Sequence, residues 1–138
     1  MISIRRKGVA IVNTKKGILL VAGNSKNFIL PGGGAERKES RKQAAIRELY
    51  EETGLRTIKC IYLFSYLGKS WNNHRGKKVR NHTKVFLIEA QGIPRPRHEI
   101  KYVSFYKPNS NVNITRGTKK IIINYMGLKD KKLVKLRA

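Results

Sequence analysis

One cysteine, Cys60, is all the chain has, so no internal disulfide can form, and a lone thiol suits a reducing compartment. Set in the apolar stretch "IKCIYLF", Cys60 reads as a small buried residue rather than a nucleophile. No apolar run approaches the ~20 residues that span a bilayer, and no N-terminal apolar segment leads to a small-residue cleavage site. These absences argue against membrane insertion and export and for a soluble, cytoplasmic protein. Repeats, heptads and dividing linkers are also missing, and 138 residues suit one domain with a real core. Residues 1–128 read as that domain, and residues 129–138 as a basic C-terminal tail that frays.

Acidic residues are the other shortage: 8 Asp and Glu stand against 31 Lys and Arg, a formal net charge of +23. Five of the eight, Glu36, Glu39, Glu48, Glu51 and Glu52, crowd into the stretch from Pro31 to Leu55, where five basic residues balance them. Outside it, 26 basic residues meet only 3 acidic ones, so the rest of the surface is strongly electropositive. Such a field draws polyanions, whether nucleotide phosphates, RNA or anionic surfaces. The same charge also fits a plain solubility role or a proteome rich in Lys, Ile and Asn.

"ISIRRKGVAIVN" and "TKKGILLVAG" read as two strands around a short turn. After the glycine-rich "PGGG", Ser40 to Thr53 has helical periodicity, with Ser40 and Gln43 forming a capping box and Gly54 as a left-handed stop. "TIKCIYLFSYL" and "HTKVFLIEAQG" are rich in β-branched and aromatic residues and read as strands joined by the long basic hairpin loop "GKSWNNHRGKKVRN". "HEIKYVSFYKP" gives a further strand, and "TRGTKKIIINYMG" a second helix ending near Gly127. The fold class is therefore α/β, a mixed central sheet with helices on its faces.

On the first helix each residue advances by about 100°, so Glu48, Glu51 and Glu52 share one face beside an apolar stripe of Ala45, Ile46, Leu49 and Thr53. As pure structure this is unfavourable. Glu48 and Glu52 are like charges at i and i+4, and Glu51 and Glu52 sit at the negative end of the helix dipole. Arg47 can relieve part of the conflict by pairing with Glu51. A bound divalent cation removes it, and all-oxygen ligands point to Mg²⁺ or Mn²⁺; the alternative is an idle acidic face. The glycines of "PGGG" allow close backbone approach to a metal or phosphate, and Glu39 can fold back towards the helix.

Gly33, five residues, Glu39, seven residues, then "RELYEETGL" match the Nudix box G-x5-E-x7-R-E-U-x-E-E-x-G-U at every fixed position. The chain resembles the Nudix, or MutT-like, hydrolase family, with one departure at Lys38, where many members carry glycine. The resemblance implies a Nudix-type α/β/α sandwich that hydrolyses the diphosphate linkage of a nucleoside diphosphate joined to another group. It implies that Glu48, Glu51 and Glu52 hold Mg²⁺ with the Gly33 carbonyl, that Glu39 assists, and that Arg47 orients the glutamates. Catalytic roles then fall to Glu48, Glu52 and Arg47, with Glu99 as the outside candidate for general base and Glu89 behind it; both acids also fit an ordinary surface role. The family's ADP-ribose signature is absent, since no proline lies between Pro31 and Pro94, and the NADH-type signature is absent too.

"GKS" at Gly68 to Ser70 is no phosphate-binding loop, because Leu63 stands where that motif needs glycine. His74, His82 and His98 lack metal-ligand spacing. Trp71, among Lys78, Arg80 and other basic residues, either stacks on a base or caps the core. Arg5, Trp71, Lys78 and Arg80 are the candidate substrate contacts. A nucleoside triphosphate, a dinucleoside polyphosphate or a related small molecule is the expected substrate. A triphosphorylated or capped RNA 5′ end is the second possibility, and a non-catalytic nucleic-acid-binding module the third. Oligomeric state is not legible here.

Overall fold

The structure, a computed structural model, describes residues 2–130. Its strands and helices run in the order β1 (Ser3–Ile11), β2 (Asn13–Thr14), β3 (Gly17–Ala22), β4 (Gly32–Gly34), α1 (Arg41–Thr53), β5 (Arg56–Leu67), β6 (Trp71–Asn72), β7 (Lys78–Gln91), β8 (Tyr102–Tyr106) and α2 (Arg116–Asp130). One sheet has the order β4-β1-β7-β5, with β6 added to β7; the other has the order β2-β3-β8. The first sheet is mixed, because β1 and β7 are parallel (Lys7 opposite Thr83, Val9 opposite Val85) and its other pairs are antiparallel.

Period-two alternation splits β1 and β7 between two cores. Val9, Ile11, Val85 and Leu87 face α2, packing with Leu20, Ile121, Ile122 and Tyr125. Ala10, Phe86 and Ile88 face α1, packing with Leu19, Ala45, Leu49 and Leu55. A sheet covered on both faces by helices is the α/β/α sandwich.

Several expectations need correction. The first two strands do not pair with each other. β1 leaves to become a central strand between β4 and β7, because Gly8 to Ile11 are buried on both faces, and the tight hairpin is β2–β3 instead. The basic hairpin loop is shorter than it reads. β6 pairs with the start of β7, and Asn73 closes the turn by accepting from the N–H groups of Arg75 and Lys77, both at 2.9 Å. α2 continues past Gly127 to Asp130, so positions 129 and 130 of the expected tail are helical, while 131–138 lie outside the described residues. Ile121 and Ile122 of the triple isoleucine are buried and Ile123 is exposed, so tertiary burial outweighs β-branched reluctance. Cys60 is only half-buried, at the edge of the α1-side core.

Candidate active site

α1 is fixed at both ends. The Ser40 hydroxyl accepts from the Gln43 N–H at 3.0 Å, and the Gln43 side chain accepts from the Ser40 N–H at 2.8 Å. At the other end Gly54 adopts φ 80° and donates to the Tyr50 carbonyl at 2.8 Å. Between these caps Glu52 turns inward, 4% exposed, and its Oε1 accepts from the Gly32 N–H at 3.0 Å. The Glu48 carboxylate lies against Gly33, where a Cβ would displace it, so the bare glycine lets that carboxylate sit close to the backbone. Glu51 is more open and pairs with Arg47.

Arg47 ties the cluster together. Its Nε and Nη2 grip Glu39 as a fork at 2.8 and 3.0 Å, and its Nη1 donates to Glu48 at 2.9 Å and to Glu51 at 3.0 Å. Nη2 also reaches the Gly34 carbonyl at 3.2 Å, and Glu36 lies 3.4 Å from Nε. One guanidinium therefore serves four carboxylates, and Glu52 has no ion-pair partner among the described residues.

The titration behaviour follows first from burial and then from how that one guanidinium is shared. Burial pushes Glu52 up to about 8, with Glu48 and Glu99 adding to the rise while the Gly32 N–H and Lys7 oppose it. Burial also pushes Glu48 up to about 7, reinforced by a hydrogen bond with Glu51 against the pull of Arg47. Glu39 goes the other way, held down to about 2 by hydrogen bonds from the Arg47 side chain and the Glu36 N–H.

A divalent cation fits this donor set. Magnesium takes oxygen ligands, often only one or two carboxylates, and fills its remaining positions with water and substrate phosphate. Glu48 and Glu52 meet that requirement with Glu51 beside them, whereas both oxygens of Glu39 are already engaged by Arg47. Among the described residues no three His, Cys, Asp or Glu side chains form a ready metal cage.

Glu99 reaches the cluster by a route the sequence hides. The N–H groups of Arg95 and Arg97 donate to the carbonyls of Thr53 at 3.0 Å and Glu52 at 3.1 Å, and the Arg97 guanidinium donates to the Tyr50 carbonyl at 3.0 Å. This strap satisfies the last carbonyls of α1 and brings positive charge to the negative end of its dipole. It also leaves Glu99 close enough to Glu52 to raise its pKa. Glu89 instead sits on β7 opposite Lys59.

A cavity of about 350 Å³ adjoins the cluster. Gly32, whose N–H holds Glu52, forms part of its wall together with Lys7, Tyr66, Trp71, Asn81, Thr83 and the first turn of α2. Of the candidate substrate contacts, Trp71 lines this cavity, 42% exposed, and does not cap the core. Arg5 lies over Gly34, with Nη2 within 3.2 Å of where a Cβ would stand. Arg80 and Lys78 are not in the cavity wall; Arg80 donates to the Gly68 carbonyl and so braces its rim. His82 meets the Arg41 guanidinium at 2.7 Å, and His74 and His98 are exposed between strands.

A family model of the NUDIX domain matches residues 4–123. The chain belongs to the Nudix hydrolase family. A protein from Chromobacterium violaceum assigned to that family is 34% identical, with a TM-score of 0.77 over 92% of this chain and 79% of the other. The ORF135 protein of E. coli is 21% identical, with a TM-score of 0.73 over 93% and 92%. A bifunctional NMN adenylyltransferase/ADP ribose pyrophosphatase from Francisella tularensis, complexed with AMP and a manganese ion, is 22% identical, with a TM-score of 0.64 over 89% of this chain and 41% of that one. The last two likenesses carry the fold alone.

In this Nudix chain the box motif drew attention to α1 and missed Lys7. Burial holds the Lys7 ammonium below its ordinary value, with Arg5 adding to the effect and Glu52 and Glu48 opposing it. A signal was present: Arg5, Lys7, Val9 and Ile11 alternate along one face of β1, so a lysine shares a face with core residues. Asn81 and Thr83 likewise continue the face of Val85 and Leu87 on β7 and went unnoticed for the same reason.

Proposed function

We propose that the chain is a divalent-metal-dependent pyrophosphohydrolase acting on a nucleoside diphosphate linked to a further group, such as a nucleoside triphosphate or a dinucleoside polyphosphate. The observation that carries this reading is the junction at Gly32, where a buried, unpaired glutamate adjoins a cavity with basic and aromatic walls. Glu48 and Glu52 would hold Mg²⁺ or Mn²⁺, with Glu51, Glu39 and the Gly33 backbone around them. The ion, when bound, neutralises diphosphate oxygens and makes water more acidic.

The chain's own groups supply the rest. Arg47 positions Glu48 and Glu51 by charge-assisted hydrogen bonds. Lys7, half-buried between the glutamates and the cavity, offers an ammonium to the substrate's phosphates, and Arg5 extends the positive path outward. Glu99, exposed beside Glu52, accepts the proton of the attacking water.

The test is a panel of nucleoside triphosphates, dinucleoside polyphosphates and 5′-triphosphate RNA, incubated with and without Mg²⁺. Release of a nucleoside monophosphate that needs the metal and falls roughly 100-fold or more in Glu52→Gln supports the proposal. A flat nucleotide panel with turnover of the RNA end transfers the same chemistry to RNA, a reading favoured by the +23 charge. RNA binding with no turnover, indifferent to both Mg²⁺ and Glu52→Gln, would leave the fold as a binding scaffold and end the catalytic reading.

A further inference from the structure

The sheet face on which α1 packs is only partly covered by it. α1 lies over Ala10, Phe86 and Ile88, and strand register carries the same face onward to the start of β1, the start of β7 and the end of β5. There Ile4 stands beside Arg80, Arg6 beside His82 and Leu67, and Lys84 beside Ser65, while Tyr62 flanks Phe86. Ile4, Tyr62 and Leu67 are 54%, 51% and 48% exposed, and none of these positions is acidic.

The arginines here differ from ordinary surface charge, because each is held by a neutral partner. Arg6 donates to the Glu39 carbonyl at 2.9 Å, Arg80 donates to the Gly68 carbonyl, and Arg41, the first residue of α1, meets the His82 ring at 2.7 Å. The Glu39 carboxylate beside Arg6 is gripped by Arg47 instead, and among the described residues every ion pair belongs to Arg47. Guanidiniums that are fixed yet not neutralised lose little freedom on meeting an anion. The layout selects the anion. From Arg80 to Lys84 the cations of β7 run about 14 Å along the strand, a line of charge and not a cup for one phosphate. Exposed apolar side chains lie alongside on β1 and β5, and the Lys84 ammonium sits 5.6 Å from the centre of the Tyr62 ring. A polymer with a charged backbone and flat bases matches those parallel rows. Single-stranded RNA offers such bases, which a duplex keeps stacked. A bilayer is held off, because α1 stands on the same face and a helix is about 10 Å thick. A second copy of this chain would set like charges against each other.

We infer that this open sheet face binds single-stranded RNA, its phosphates along Arg6, Arg41, Arg80 and Lys84 and its bases on Tyr62, Leu67 and Ile4. The surface lies outside the cavity and the acidic cluster, and it needs neither a metal nor turnover. It therefore stands independently of the hydrolase reading.

The experiment follows fluorescence anisotropy of a labelled RNA decanucleotide with a 5′-hydroxyl end, in EDTA, so that no hydrolysis enters. It compares the wild type with Tyr62→Ala, Leu67→Ala and Lys84→Gln, and with Lys119→Gln on the exposed side of α2, which packs on the opposite face of the sheet. The wild type should bind the single strand roughly tenfold or more tighter than the same sequence in a duplex. Tyr62→Ala should weaken binding roughly fivefold or more. Leu67→Ala, outside both cores, should weaken it in the same direction and covers the case in which Tyr62→Ala melts early. Lys84→Gln should lower the slope of log Kd against log salt by roughly 0.7, as one lost phosphate contact does, and Lys119→Gln should leave both affinity and slope near the wild type. Equal losses in Lys84→Gln and Lys119→Gln, or affinity indifferent to both Tyr62→Ala and Leu67→Ala, would overturn the inference. So would tighter binding to the duplex or to phosphatidylglycerol vesicles than to the single strand. Nucleoside triphosphate turnover by the wild type, measured separately with Mg²⁺, decides the hydrolase reading whichever way the RNA result falls.

Discussion

A single buried glutamate sets the character of the site. Burial pushes Glu52 up to about 8 and Glu48 up to about 7. Between the ordinary carboxylate value of 4.5 and these raised values, the folded chain retains protons that the unfolded chain has released. The stability these two groups contribute to the metal-free protein is therefore fully present below about 4.5 and is lost as pH climbs towards 8. Thermal melting in EDTA should show that decline from pH 5 to 8, a smaller decline in Glu52→Gln, and recovery on adding Mg²⁺ at pH 8. Equal slopes for the two proteins would remove Glu52 as the cause. Lys38 carries a different cost: it adopts φ 69° in the turn closed by the Glu39 N–H and the Glu36 carbonyl at 2.9 Å, a left-handed position that favours glycine. Lys38→Gly should therefore be more stable by roughly 0.5–1 kcal/mol in urea unfolding, and Lys38→Ala should gain nothing. A loss of stability in the glycine variant would refute this.

At the scale of elements, α1 was legible because everything that defines it is local. Ser40, Gln43 and Gly54 lie within the helix or next to it, and the apolar stripe repeats every turn. Ser40→Ala removes a closed capping box and should cost about 1 kcal/mol, read by urea unfolding; a loss under a few tenths would mean that packing on β1 and β7 holds the helix unaided. What stayed hidden depends on distant partners. That β1 runs parallel to β7 follows from pairings distant in sequence, for example Ser3 opposite Val79, and no turn signal announces it. The strap that seats Glu99 works through backbone donors of Arg95 and Arg97, whose side-chain identities say nothing of it. Lys7, Asn81 and Thr83 were visible only as polar interruptions in strands, and they acquire meaning once Trp71, Tyr66 and the start of α2 close around them.

In the whole molecule, charge is divided by region. The acidic cluster lies in the one stretch that is neutral overall, and the surrounding surface carries the entire +23, a field that draws anions towards the site. Anion attraction alone gives Glu52 no reason to be buried; under the proposed function a cation between it and a phosphate supplies one. The most direct measurement is electron paramagnetic resonance of Mn²⁺ titrated into the wild type, Glu48→Gln and Glu52→Gln, with and without a non-hydrolysable nucleotide. One tight Mn²⁺ site in the wild type, strengthened by the nucleotide and weakened at least tenfold in each variant, is the expected result. Unchanged Mn²⁺ affinity in both variants would show that these carboxylates do not bind the ion.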